Sequence, residues 1–251
     1  MEGLTLGSLF SGSGGFELAG QMNGIEPVWA SEIAPFPIMV TSKRFPNMKH
    51  LGSVTDIDGA EIDPVDIITF GSPCQDISIA GNRDGINEGR RSKLFFEAIR
   101  VIKEMRGHDR AKGIPTEKRR PRFIVWENVH GAFSCNEGED FRTVLDEICK
   151  IADESISIPK PGKWEPTGCI MGRNWSVAWR TFDSQYWGVP QRRRRIYIVA
   201  DFAGQCAGEV LFEQEGVSWH TESFEEAWKT VAGQDARGAR RSAEITPPPY
   251  R

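Results

Sequence analysis

One stretch near the N-terminus limits the fold more than any other. Residues 5–10 form an apolar, β-prone run that enters Ser11-Gly12-Ser13-Gly14-Gly15. A short helical stretch over 16–23 follows and is closed by Gly24, and residues 26–31 read as a second strand ending at Glu32. Strand, glycine turn, helix, strand and acid in that order describe a βαβ unit with parallel strands. The glycines let the backbone come close to a ligand. The acid, 20 residues after Gly12, stands where a carboxylate accepts hydrogen bonds from ribose hydroxyls. The turn reads Gly-x-Gly-Gly rather than the dinucleotide fingerprint, so glycines that serve only positive φ remain the alternative.

A second strand signal, residues 65–70, stops at Gly71-Ser72-Pro73 and presents Cys74. The carboxyl ends of strands in an open α/β sheet are where ligands bind. A small buried core residue is the other usual fate of a free cysteine. Residues 123–126 run apolar into Glu127-Asn128-Val129, and Arg192 to Arg195 precede an apolar run over 196–202. A thiolate is a nucleophile and a thiol is not, and cations or a helix N-terminus would favour the thiolate. Desolvation of Glu127 beside Ile124, Val125 and Trp126 would raise its pKa toward neutrality; pairing with an arginine is the alternative. Arginines alternating along a strand would send two side chains to each face. The glycine loop, Glu32, Cys74 and Glu127 are each expected just past a strand, and so at one edge of a sheet.

The rest of the chain follows the same alternation. Leu94, Phe95, Ala98, Ile99, Ile102 and Met105 make a helical stripe within 92–106. Residues 109–122 read as a polar surface loop and 141–151 as an amphipathic helix. Residues 155–172, with Pro159, Pro161 and Pro166, read as an irregular excursion, and 175–181 as a strand. Beyond 202 the signals weaken to a short strand over 209–212, a helix over 224–231 and a disordered tail over 237–251. The expected fold is α/β, a doubly wound, mostly parallel, Rossmann-like sheet. Residues 1–202 would form the catalytic and cofactor-binding domain, and 203–251 a tail or the start of a further region. The glycines at 81, 85 and 89 suit 75–91 to a lid.

Composition removes several classes. A net charge of −4 excludes a simple basic nucleic-acid binder, so phosphate contacts must come from local clusters. Five cysteines without CxxC spacing argue against a disulfide framework or a zinc site, and no metal is expected. No signal-peptide pattern and no membrane-length apolar run occur, which points to a reducing, cytoplasmic setting without a membrane.

Taken together, Phe10-Ser11-Gly12-Ser13-Gly14-Gly15-Phe16, Pro73-Cys74-Gln75 with Ile79-Ala80-Gly81 and Leu94-Phe95, Glu127-Asn128-Val129, and Gln191 to Arg195 resemble the ordered motifs of S-adenosylmethionine-dependent cytosine-5 DNA methyltransferases. The resemblance covers residues 4 to 202. It implies that Phe10, Gly12 and Gly14 line the cofactor, that Glu32 binds its ribose, that Asp56 and Ile57 meet its adenine, and that Leu94 packs near its methionine part. It implies that Cys74 attacks C6 of cytosine, that Glu127 bonds N3 and the exocyclic amine, and that Arg193 and Arg195 hold the base and the catalytic loop. Pro73, Gln75, Ser78, Asn128, Val129 and Gln191 would lie on the substrate side. The implied substrate is double-stranded DNA with the target base flipped out, as in restriction–modification. The family's target-recognition region and last two motifs are not found after Phe202. A split enzyme completed by a second polypeptide, a truncated reading frame and an inactive cofactor- or partner-binding remnant all fit that pattern. The related transfer-RNA branch is a further reading, though Asp76 to Gly81 looks more like the DNA enzymes.

Overall fold

The computed structural model describes residues 3–72, 92–188 and 190–212, with the side chains of Ser92 and Lys93 left aside. In chain order the elements are β1 (Thr5–Leu9), α1 (Gly15–Met22), β2 (Glu26–Ser31), α2 (Pro35–Arg44), β3 (Lys49–His50), β4 (Ile67–Phe70), α3 (Ser92–Ala111), β5 (Phe123–Val129), α4 (Glu139–Cys149), β6 (Thr167–Met171), β7 (Ser176–Asp183), β8 (Arg194–Asp201) and α5 (Ala207–Phe212). The eight strands form one sheet in the order β3-β2-β1-β4-β5-β8-β7-β6. The pairs from β3 to β5 are parallel, and those from β5 through β8 and β7 to β6 are antiparallel. The doubly wound, mostly parallel α/β fold expected from the sequence is present. The strand order reverses beside β1 and β4, the place where such sheets bind ligands.

The main core lies on one face of the sheet, under α3 and α4. Phe70, Ile124, Trp126, Trp179 and Ile198 meet Phe95, Ile102, Phe141 and Leu145 there, all essentially buried. Trp164 and Trp179 stand edge-on to Phe141 and to one another, with centroids 5.0–6.1 Å apart. Two glycines admit tryptophans from adjacent strands. Gly7 pairs with Trp29, and Gly168 with Trp179. A Cβ at either glycine would stand about 2 Å from the indole, at 2.2 and 2.1 Å, so each ring lies flat over backbone that no other residue would leave clear.

Five local expectations change. α3 runs to Ala111, so the predicted loop begins later. Its last turn is anchored by Asp109, 3% exposed, which accepts from Arg120 N at 2.8 Å. The stretch over 155–172 contains β6, whose strand signal Gly168 and the nearby prolines conceal. α2 and the two-residue β3 were not foreseen. The short strand expected over 209–212 is the end of α5, where Ala207 and Leu211 pack on Ala178 and Val199. Glu127 lies inside β5, two residues before its end, rather than beyond it. The helix expected over 224–231 and the tail lie outside the described residues.

An ion pair between the part-exposed Arg122 and the buried Asp201 ties β5's start to β8's end. Arg122 Nε and Nη2 donate to Asp201 Oδ1 and Oδ2, both at 3.0 Å. Burial pushes the Asp201 carboxyl up, but the bonds from Arg122, Cys206 and Ala203 outweigh it and hold its pKa below the ordinary value. A depressed carboxylate stabilises above its unfolded pKa, about 3.9, and that contribution fades as pH falls through the lower folded value. Asp201→Asn is therefore expected to cost about 1–2 kcal/mol at neutral pH, since Arg122 is 43% exposed. The gap between variant and parent in urea melts should shrink below about pH 4. A gap that persists at acid pH would contradict the assignment.

Candidate active site

The cofactor side is built on the end of β1. Phe10 takes φ +57°, a left-handed conformation rare outside glycine, at the point where the chain leaves the sheet. Gly14 N donates to Ser11 O at 3.1 Å and closes the turn. Gly14, at φ +85°, begins α1. A Cβ there would stand 2.9 Å from both Thr41 and Phe45, so only glycine lets α1 and the α2 end approach. Gly12 N donates to Glu32 Oε2 at 2.8 Å, while Glu32 Oε1 accepts from Ile33 N and Ala34 N at 2.8 and 2.9 Å. The acid thus pins the glycine loop to the start of α2. Ser31 Oγ donates to Gly52 O at 2.7 Å, which anchors the segment leading to the tight turn Val54–Asp56. Ile57 is buried and its carbonyl accepts from Arg100 Nη1 at 2.9 Å, whereas Asp56 is exposed. Leu94, in α3's first turn, and Phe10 are half-buried against the main core.

These residues fit S-adenosylmethionine. Gly12 has nothing within 4 Å of where a Cβ would stand, so the loop has open space beside it. A carboxylate takes about four hydrogen bonds, and Glu32 uses three on backbone N–H groups. A ribose offering two hydroxyls must share or replace one of them. The carboxyl of Glu17, behind the loop, is buried with neither oxygen in a formed hydrogen bond. Glu32→Ala is expected to weaken S-adenosylmethionine binding by ~1–3 kcal/mol, the scale of hydrogen bonds to a charged group; unchanged affinity by calorimetry would remove Glu32 from the site.

The second half of the site lies beside the first, where β4, paired with β1, and the next strand, β5, end. Trp126 Nε1 donates to Ser72 Oγ at 3.2 Å, and Asn128 Nδ2 to Ser72 O at 3.4 Å. β5 therefore clamps the residue two positions before Cys74. Asn128, 3% exposed, is oriented toward this clamp, and its Oδ1 also accepts from Val129 N at 2.7 Å. Glu127 points to the other face. Its Oε2 would be 3.3 Å from a Cβ on Gly71, so a glycine at this position leaves room for the carboxylate. Arg195 Nε lies 3.0 Å from Glu127 Oε1 and Arg193 Nη2 4.0 Å from it. The alternation expected of the arginine run brings these two to the same carboxylate. Arg193 is held in turn by Asp183 Oδ1, which accepts its backbone N–H at 3.2 Å. Gln191 is exposed, and its carbonyl accepts from Ser184 Oγ at 2.5 Å. Val129 pairs with Arg195.

Tyr197, directly across from Glu127 in the ladder, was not singled out by sequence. Burial, and next the Glu127 charge, push its hydroxyl pKa up. A cavity of about 400 Å³ opens beside Arg193 and Arg195, walled by Phe182, Trp187 and Tyr197. Pro73, Cys74, Gln75, Ser78 and the 75–91 loop lie outside the described residues. Of the other cysteines, burial raises the thiols of Cys149, Cys169 (to about 12) and Cys206 (to about 11), which suits none of them to nucleophilic work. No cluster of metal-ligating side chains occurs among the described residues, and no described helix is long and apolar enough to cross a membrane.

Comparison with known proteins shows the family and the fold. The C-5 cytosine-specific DNA methylase family matches residues 4–152. The DNA N-6-adenine-methyltransferase of Escherichia phage P1 is 33% identical over 99% of this chain and 35% of its own length. The type II methyltransferase M2.BsuMI of Bacillus subtilis is 30% identical over 83% of this chain and 44% of its own. This chain therefore spans well under half the length of these relatives. Among solved structures, the S. pombe Dnmt2 methyltransferase superposes with a TM-score of 0.56 at 19% identity, covering 87% of this chain and 57% of that one. A prophage-encoded DNA modification methyltransferase of E. coli gives 0.55 at 18%, covering 84% and 49%. These two likenesses establish the fold, and the family match over more than half of the sequence establishes the rest: the chain belongs to the C-5 cytosine-specific DNA methylases.

Proposed function

We propose that this chain carries the catalytic part of an enzyme that methylates C5 of cytosine in duplex DNA. The observation that supports this most is Glu127, paired with Arg195 and lying against Gly71, three residues before Cys74 and on the sheet that carries the glycine loop and Glu32. In this reading Phe10, Gly12, Gly14, Glu32, Asp56, Ile57 and Leu94 hold S-adenosylmethionine, which when bound supplies an electrophilic methyl on a sulfonium. Cys74 Sγ adds to C6 of the flipped cytosine, and Glu127 holds the proton at N3 and accepts from the exocyclic amine. That addition makes C5 an enamine-like carbon able to attack an electrophile. Loss of the C5 proton and expulsion of Cys74 restore the ring. Arg195 keeps the Glu127 carboxylate in place, and Arg193 stands within reach of the base.

Target recognition is assigned to a region outside this catalytic part, on a second polypeptide or on the same one. The chain matches only 35% and 44% of its relatives' lengths, and its net charge of −4 leaves phosphate binding to clusters such as Arg192 to Arg195. The phage P1 relative bears an adenine-specific name, so product identity decides between the two chemistries. Duplex DNA incubated with the protein and labelled S-adenosylmethionine, then digested to nucleosides, should carry the label in 5-methylcytosine. Label in N6-methyladenine would overturn the reading.

A further inference from the structure

Glu17 sits in the first turn of α1, two residues after the glycine loop, and it is 0% exposed. Neither carboxyl oxygen makes a formed hydrogen bond. Its Oε2 lies 3.8 Å from where a Cβ on Gly14 would stand. Burial raises its pKa, and its own backbone N–H and then the nearby hydroxyls of Ser8 and Ser11 lower it in part, Ser8 being itself engaged with Thr69 Oγ1 at 3.0 Å. The charge of Glu32, of the same sign, raises its pKa further. A buried acid without a counter-charge is costly, and the same cost recurs wherever a ligand's charge completes the balance.

We propose that Glu17 is the counter-charge for the α-ammonium at the amino-acid end of S-adenosylmethionine. The inference rests on the cofactor reading above and adds a residue to it. A desolvated carboxylate is poorly screened and attracts a cation across a few ångströms of loop, so the effect does not require Glu17 to lie on the open surface. The glycines at 12 and 14, both at positive φ, give that loop little side-chain bulk between acid and ligand. Burial holds the Glu17 carboxyl above its ordinary pKa in the free protein. A bound ammonium lowers it, and the proton leaves for solvent.

The test compares three probes by calorimetry: S-adenosylmethionine, S-adenosylhomocysteine, which keeps the ammonium but lacks the sulfonium charge, and 5′-methylthioadenosine, which lacks the amino-acid end. Glu17→Gln should weaken the first two alike by about tenfold or more and leave the third unchanged. Equal loss for all three would make Glu17 merely structural. Loss confined to S-adenosylmethionine would place the charge at the sulfonium instead. Either result overturns the proposal. The wild-type protein provides a readout that no misfolded variant can spoil. In buffers of different ionisation enthalpy, S-adenosylhomocysteine should release more protons than 5′-methylthioadenosine, increasingly so as pH is lowered from neutrality toward the ordinary carboxylate range. Equal release would also overturn it. Failure of the wild type to bind any of the three would overturn the cofactor reading together with this inference, whereas equal affinity for all three would overturn this inference alone.

Discussion

Cys74→Ala is expected to reduce methyl transfer to below about a thousandth of the parent rate while leaving S-adenosylmethionine affinity intact. Cytosine C5 is unreactive toward electrophiles while the ring keeps its aromatic electrons, and only addition at C6 frees them. The other described cysteines offer no substitute. Cys149 is fully buried, Cys169 and Cys206 have raised thiols, and Cys135 lies exposed after β5 in a turn preceding α4. The residues proposed to bind the cofactor hang on β1 and β2, while Cys74 follows β4, the neighbouring strand on β1's other side, so removing the thiol leaves the proposed cofactor contacts in place. A Cys74→Ala protein that methylates DNA at a comparable rate would remove the covalent step from the account.

Glu127→Gln is expected to lower kcat by about 10²- to 10⁴-fold, the range of general acid–base contributions, with little change in fold or cofactor binding. The glutamine amide oxygen can still accept from Arg195 Nε, so β5 and β8 stay joined by their ladder and by this contact. It cannot hold a proton at N3, and its amide NH₂ would face the exocyclic amine with a donor. The expected signature is a kcat that falls while the melting temperature and S-adenosylmethionine affinity remain those of the parent. Loss of stability instead of turnover would make the Glu127–Arg195 pair a structural brace.

The βαβ unit at the N-terminus was legible because its signals are local: an apolar run, glycines that nothing else can replace, and an acid on the next strand end. Gly14 shows why, since its φ and its contact with Thr41 and Phe45 both exclude a side chain. Glu127 and the arginine run were legible as residues, but their pairing is a cross-strand fact that no spacing reveals. What sequence missed was set by tertiary context. α2 carries Pro35 and Pro37 in its first turn and exposes Phe36 and Met39, so it shows no amphipathic stripe. β6 is interrupted by a glycine whose purpose is the Trp179 ring on the neighbouring strand. Asp109 reads as a solvent residue and is instead buried to anchor a loop. Glu17 reads as a polar helix position, and only the packing of α1 on β1 turns it into a sealed acid. Asn128 is expected on the substrate side from its motif, and its amide donates to Ser72 O at 3.4 Å, a contact between strand ends that no spacing reveals.

The most direct test of the central claim is covalent trapping on duplex DNA containing 5-fluorocytosine, with S-adenosylmethionine present, read on a denaturing gel. Fluorine at C5 cannot leave as a proton does, so an enzyme that attacks C6 through a cysteine stays bonded to its substrate. The account requires a DNA-linked band for the wild-type protein, under conditions in which it methylates ordinary DNA, and no band for Cys74→Ala. A wild-type protein that methylates yet leaves no band, or a band that survives Cys74→Ala, would contradict it.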